Sequence, residues 1–256
     1  MIDKWTLTIP ALSGDEERCA YVYVPELCAE DPDLRLPVLY MFDGHNVFFD
    51  EDATYGKSWG MGEYLDAHEV PLIVAAVECT HDPNNGRLSE YSPYSFQDSY
   101  FGSVKGRGKR TMDWFVGEFK PQIDAGYPTL PDREHTFIAG SSMGGLMSLY
   151  ALMRYNGVFS RAAALSPSLW VDPARLEKLV TNARLRKNTV LYMDYGQREL
   201  QNHRGMEKIL RDMVQTLLER GLLLDFRVVP GGTHSEASWE RQIPFFLNTL
   251  LYGVEV

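Results

Sequence analysis

The stretch Ile138-Ala139-Gly140-Ser141-Ser142-Met143-Gly144-Gly145-Leu146 decides how this chain is read. The apolar run from His135 to Ala139 reads as a strand and the residues from Met143 onward as a helix, with one serine at the corner. Gly140-Ser141-Ser142-Met143-Gly144 fits G-x-S-x-G, the sharp turn that displays a nucleophilic serine above a sheet. A strained strand-to-helix turn brings neighbouring backbone too close for a Cβ, which gives both glycines a steric reason to be there. The plainer alternative is an ordinary Gly-Ser turn capping a helix. Ser142 is the candidate nucleophile.

Working outward, β-branched runs and alternation predict strands at Trp5 to Ile9, Arg18 to Val24, Val38 to Phe42 and Leu72 to Val77. Further strands are expected at His135 to Ala139, Arg161 to Leu165, Thr189 to Asp194 and Leu224 to Val229. Thr111 to Asp124 carries Met112, Phe115, Val116, Phe119 and Ile123 at a helical spacing. Met143 to Tyr155, Pro173 to Val180, Met206 to Arg220 and Ser238 to Leu251 behave alike. Early antiparallel strands followed by strand–helix alternation imply an α/β fold, a mostly parallel central sheet with helices on both faces. Reactive groups in such sheets gather at the carboxyl ends of the strands.

Composition narrows the function classes. No linker, repeat or shift in composition divides the 256 residues, so 1–256 is expected to form a single domain. A net charge of −10 argues against nucleic acid and against an anionic membrane surface as partners. The basic run Lys105 to Arg110 reads as a solvated loop, Met1 to Trp5 lacks a signal-peptide core, and no stretch is long enough to span a bilayer. Cys19, Cys28 and Cys79 make neither a disulfide framework nor paired metal-ligand spacing. A reduced, cytoplasmic enzyme is expected, and oligomeric state is not encoded in any motif.

A serine hydroxyl needs a base, usually a histidine held by a carboxylate. With the nucleophile on such a turn, the chain order is serine, acid, histidine. His203 and His234 follow Ser142. His203 sits in a polar helix start and reads as solvent-facing, whereas His234 lies in Gly231-Gly232-Thr233-His234, just past a strand end, and is the candidate base. Two carboxylates compete to orient it: Glu199, in the loop after the strand Thr189 to Asp194, and Asp194, which ends that strand. The loop position favours Glu199, and Asp194 has a turn-organising alternative.

Acyl transfer also needs donors for a developing oxyanion. The backbone N–H of Met143 is one candidate; His45 or Asn46, in Asp43-Gly44-His45-Asn46 after the strand Val38 to Phe42, would supply the other. His45 as a metal ligand has no second ligand at suitable spacing. Among the aromatics, Phe48, Phe49 and Trp239 read as core, whereas Trp170, Trp59 and Tyr55 are expected to line a substrate pocket. Arg87 and Glu90 read as an ion pair bracing the loop before Tyr91.

Counting the elbow, five segments resemble the Putative esterase family of α/β-hydrolases, which includes esterase D-like, feruloyl/acetyl-xylan and enterochelin esterases. They are Leu39 to Phe48, Arg87 to Pro93, Ala139 to Gly145, Ala164 to Trp170 and Gly231 to His234, in the family's order. The resemblance implies an α/β-hydrolase fold, Ser142 as nucleophile, His234 as base, and Glu199 where members place the acid. Two departures stand out: many members carry Asp at the position of Glu199, and Asp43-Gly44 stands where many hydrolases show His-Gly. The expected function is a serine carboxylic-ester hydrolase acting on a small-molecule ester through an acyl-enzyme, with no metal or organic cofactor. The alternatives are a siderophore-lactone or thioester hydrolase with the same machinery, and a catalytically idle hydrolase-like binding protein.

Overall fold

Side chains alternate strictly along the strands, and this alternation builds two apolar layers. In the computed structural model, which describes residues 1–203 and 205–255, Val38, Tyr40 and Phe42 join one buried cluster while Leu39 and Met41 join the other. Ile73, Ala75 and Val77 alternate with Val74 and Ala76 in the same way. Strands buried on both faces belong to a parallel sheet covered by helices.

The strands are β1 (Ile2–Thr8), β2 (Glu17–Tyr23), β3 (Val38–Phe42), β4 (Ile73–Val77), β5 (Phe96–Asp98), β6 (Gly102–Val104), β7 (Thr136–Ser141), β8 (Arg161–Leu165), β9 (Val190–Gly196) and β10 (Leu223–Val229). Eight of them form one sheet in the order β1-β2-β4-β3-β7-β8-β9-β10. Only β2 runs against its neighbours; β4 through β10 in that order are parallel. The chain moves outward from β3 to β4, then crosses back to place β7 on the other side of β3. That reversal opens a crevice at the carboxyl ends of β3 and β7.

All eight strands anticipated from the sequence are present, with ends shifted by at most three residues, the largest shift being at the start of β1. The hairpin of β5 and β6, paired Phe96 to Val104 and Asp98 to Gly102, was not anticipated, because three-residue strands are too short to show alternation. The helix expected over Thr111 to Asp124 runs as Gly108–Trp114, a π turn at Phe115–Phe119, and Lys120–Gly126. Pro121 cannot donate to the carbonyl four residues back, and a widened turn just before it absorbs the mismatch. The last expected helix is split into Glu236–Glu240 and Ile243–Leu251, the second starting with Pro244 in its first turn. Helices from Gly108 to Leu218 cover one face of the sheet, and Met61–Ala67 with Ile243–Leu251 cover the other. No described helix is long and apolar enough to cross a membrane.

One buried ion pair ties the early strands to the loops beyond them. Arg18 of β2 donates to both carboxylate oxygens of Glu90, at 2.8 and 2.5 Å, with both side chains almost wholly buried. Glu90 also accepts the Thr80 N–H at 3.1 Å, so β2, the loop after β4 and the helix Gly86–Glu90 are tied at one point. The Arg87–Glu90 pair expected from the sequence is therefore not made: Glu90 turns inward to Arg18, and Arg87 bonds Asp43. Removing one partner strands a buried charge. Glu90→Ala is expected to lower unfolding free energy by about 3–5 kcal/mol, read as a shift in the urea midpoint; a loss below about 1 kcal/mol would show that water reaches Arg18.

Candidate active site

Ser142 leaves the sheet directly after β7 with φ 57° and ψ −119°, a left-handed conformation that costs a non-glycine residue energy. The turn is held from both sides. Ser142 N–H donates to Leu165 C=O at 2.9 Å, extending the β7–β8 ladder, and a Cβ on Gly140 would lie 2.8 Å from the carbonyl carbon of Gly144. The helix Met143–Arg154 then starts at once, buried along nearly its whole length between sheet and outer helices.

The other end of the site depends on a second close approach. A Cβ on Gly232 would meet Gly196 Cα at 2.9 Å, and Arg198 N–H donates to Gly232 C=O at 3.0 Å. The segments leaving β9 and β10 therefore touch backbone to backbone. Glu199 lies in the short helix Gln197–Asn202, not in the loop expected there, since six residues with a single apolar one, Leu200, carry no periodic signal. His234 sits in the turn after β10, ahead of the helix Glu236–Glu240.

These placements bring Ser142, His234 and Glu199 together. His234 Nε2 is 2.9 Å from Ser142 Oγ, and Nδ1 is 2.6 Å from Glu199 Oε2. Glu199 is buried and its second oxygen is also used: Oε1 accepts from Ser166 Oγ at 2.7 Å and from Gly196 N–H at 3.0 Å. Burial alone would raise the Glu199 carboxyl, but hydrogen bonds from His234 and Ser166, the His234 charge and the Gly196 amide hold it below the usual value. Ser166, at positive φ after β8, in turn accepts from Trp239 Nε1 at 3.1 Å. Sequence reasoning missed Ser166 as a contact of the acid; its only signal was its place directly after a strand end. The Trp239 ring stands edge-to-face with His234, 5.0 Å between centroids.

Asp194, the rival acid, points elsewhere. It accepts from Ser166 N–H at 3.2 Å and from Tyr192 O–H at 2.9 Å, and it does not bond His234. Burial, with Glu199 nearby, pushes its carboxyl up to about 7. His203 is exposed at the end of the helix Gln197–Asn202.

A cavity of about 750 Å³ opens over Ser142 and His234, with His45, Glu78, Arg87, Glu236 and Trp239 in its walls and Tyr55, 81 % exposed, at its rim. Two of the expected pocket residues lie outside it. Trp59 is 3 % exposed and packs on Trp239 and Phe246 in the core, while Trp170 stacks on Phe101 and meets Phe96 edge-on beneath the β5–β6 hairpin. Trp239, expected in the core, is buried but also forms cavity wall. The Asn46 N–H donates to Asp43 C=O at 2.8 Å, closing a tight turn, so it is spent and corrects the expectation for that residue. The N–H groups of His45 and Met143 have no partner among the described residues. Asp43, His45 and Cys79 bring potential ligand atoms within 4.8 Å of one another, yet both Asp43 oxygens accept from Arg87 at 2.7 Å, which puts a guanidinium where a metal ion would need room. Burial works against the charge on Asp43, and the Arg87 guanidinium outweighs it, holding the carboxyl below its usual value.

A family model described as "Putative esterase" matches residues 13–249. The chain belongs to this esterase family. It is 25% identical over 245 residues to the uncharacterized protein YbbA of Bacillus subtilis (strain 168), covering 91% of each chain. Ferri-bacillibactin esterase BesA of the same organism is 23% identical over 237 residues, covering 87% of this chain and 81% of BesA. Among solved structures, an IroE-like serine hydrolase from Shewanella oneidensis matches with a TM-score of 0.76 at 21% identity, over 100% of this chain and 82% of its own. The fold is that of the α/β-hydrolases, and the family makes this an enzyme, a carboxylic ester hydrolase.

The raised Asp194 carboxyl has a consequence for stability. Between its ordinary 3.8 and about 7 the folded state holds a proton that the unfolded chain has released, so this residue lowers stability as pH rises through that interval. Asp194→Asn is expected to abolish that loss. Urea midpoints from pH 4 to 8 should show the variant gaining on the natural protein, by on the order of 2–4 kcal/mol at pH 8. A gap independent of pH would contradict this.

Proposed function

We propose that this chain is a serine esterase, hydrolysing a small-molecule carboxylic ester through an acyl-enzyme. The observation that carries the reading is the unbroken path from the Ser142 hydroxyl through the His234 ring to the Glu199 carboxylate, at 2.9 and 2.6 Å. With the Nδ1 proton donated to Glu199, Nε2 is left to accept from Ser142. Ser142 Oγ adds to the ester carbonyl carbon as its proton passes to Nε2. Collapse of the adduct breaks the ester C–O bond, and the departing alcohol takes that proton, leaving an acyl-serine. Water then repeats the sequence, releasing the carboxylic acid and restoring Ser142.

Glu199 acts in this scheme by fixing the ring and stabilising the imidazolium. The backbone N–H groups of Met143, at the start of a helix, and His45, in the cavity wall, serve as oxyanion donors, and both are free to do so. The whole chain works as one catalytic domain, in the cytoplasm. A second reading, cleavage of a siderophore lactone by the same residues, is favoured by the activity for which the relative BesA is named.

Turnover of short p-nitrophenyl esters tests the assignment. Ser142→Ala and His234→Ala should each lower kcat by about four orders of magnitude or more, as removing a nucleophile or its base does elsewhere. Glu199→Gln should cost up to about four orders, and Asp194→Asn less than about tenfold, because only Glu199 bonds the ring. Natural protein no faster than Ser142→Ala would end the proposal, and a larger loss at Asp194 than at Glu199 would move the acid.

A further inference from the structure

Two carboxylates in the cavity walls have no permanent positive charge of their own. Glu236 opens the short helix after His234, is only 8 % exposed, and makes no hydrogen bond or ion pair with any described residue. Glu78, in the loop after β4, is met by the Cys19 N–H at 2.7 Å, by Tyr21 O–H at 3.3 Å and by His81, 3.4 Å away, an exposed ring that is charged only when protonated and that also faces Glu16. The other charges in the walls are cancelled. Arg87 is held by Asp43, and Asp52 is held by Lys4 at 2.7 Å.

Although Glu236 as a residue is largely covered, its carboxylate oxygens are open to the cavity, and no described neighbouring residue compensates the negative charge they bring there. A cation supplied by the substrate would compensate it. Trp239 and Tyr55 contribute aromatic surface to the same cavity, the kind of surface that receives alkylammonium groups. We propose that the site takes esters that carry a positive charge, with an ammonium group on the acyl or the alcohol side seated against Glu236 and Glu78. The reaction on such an ester rests on the serine esterase reading; the binding preference does not. An ester with several negative charges, such as a ferric tris-catecholate, would meet repulsion from the same two residues in a chain whose net charge is already −10.

Binding to the Ser142→Ala protein separates charge from chemistry. Calorimetry would compare butyrylcholine with its uncharged carbon isostere 3,3-dimethylbutyl butyrate, and ethyl 4-(trimethylammonio)butyrate with ethyl 5,5-dimethylhexanoate. At low salt at least one cationic ester is expected to bind about tenfold or more tightly than its isostere. That preference should shrink in high salt, which screens charge, and fall to about one in the Ser142→Ala, Glu236→Gln double variant. Equal or weaker binding of both cationic esters overturns the proposal, as does a preference that ignores salt or survives Glu236→Gln. Failure of the esterase reading would look different: the natural protein would hydrolyse neither pair faster than Ser142→Ala, while the binding preference stood.

Discussion

Backbone pressed against backbone at Gly140 and Gly144 is the constraint on which the site depends. No side chain fits between the end of β7 and the first turn of the following helix, so the chain reverses within a single residue, and that residue is Ser142. Its unfavourable φ is paid for by the ladder bond to Leu165 and by a helix buried between two layers. A bulkier residue at Gly140 would push the helix start, and with it the serine hydroxyl, away from the ring it meets at 2.9 Å, whereas one at Gly144 would press on Phe42 and Asp43.

The remaining groups are fixed by strand register. Leu165 pairs with Asp194, and Gly196 with Val229, so Ser142, Ser166, Glu199 and His234 follow the ends of four adjacent strands. Each leaves its strand within a few residues, and strand spacing of roughly 4.8 Å brings them within side-chain reach of one another. Trp239, Ser166 and Glu199 then form one continuous line of hydrogen bonds ending at His234. The ring is positioned from its buried side by groups that are themselves buried and hydrogen-bonded.

The strand positions, and the three residues that the structure brings together at the elbow, were legible in the sequence because they are written in local signals. β-branched runs mark the strands, two glycines flank the elbow, and a Gly-Gly pair precedes His234. What was not legible depends on three-dimensional contact. Nothing in the sequence separates a tryptophan stacked on a hairpin, as Trp170 is, from one facing a cavity, as Trp239 does. The choice between Glu199 and Asp194 turned on which carboxylate the short helix after β9 aims at the ring, and that helix is too short and polar to announce itself. Arg87 was matched to a near neighbour in sequence, whereas its partner Asp43 is brought to it by the crossover between β3 and β4.

The trio Ser142, His234 and Glu199 comes from residues 142 to 234, whereas much of the cavity's outer wall, from His45 to Tyr55 and from Glu78 to Arg87, precedes the elbow in the chain. Trio and wall are thus drawn largely from separate stretches that meet across the crevice between β3 and β7, with Glu236 and Trp239 of the wall lying on the later one. Exposed side chains of the early loops, Tyr55 among them, bond to none of the three. A scaffold divided in this way is free to exchange one clientele of molecules for another while its working parts stay as they are.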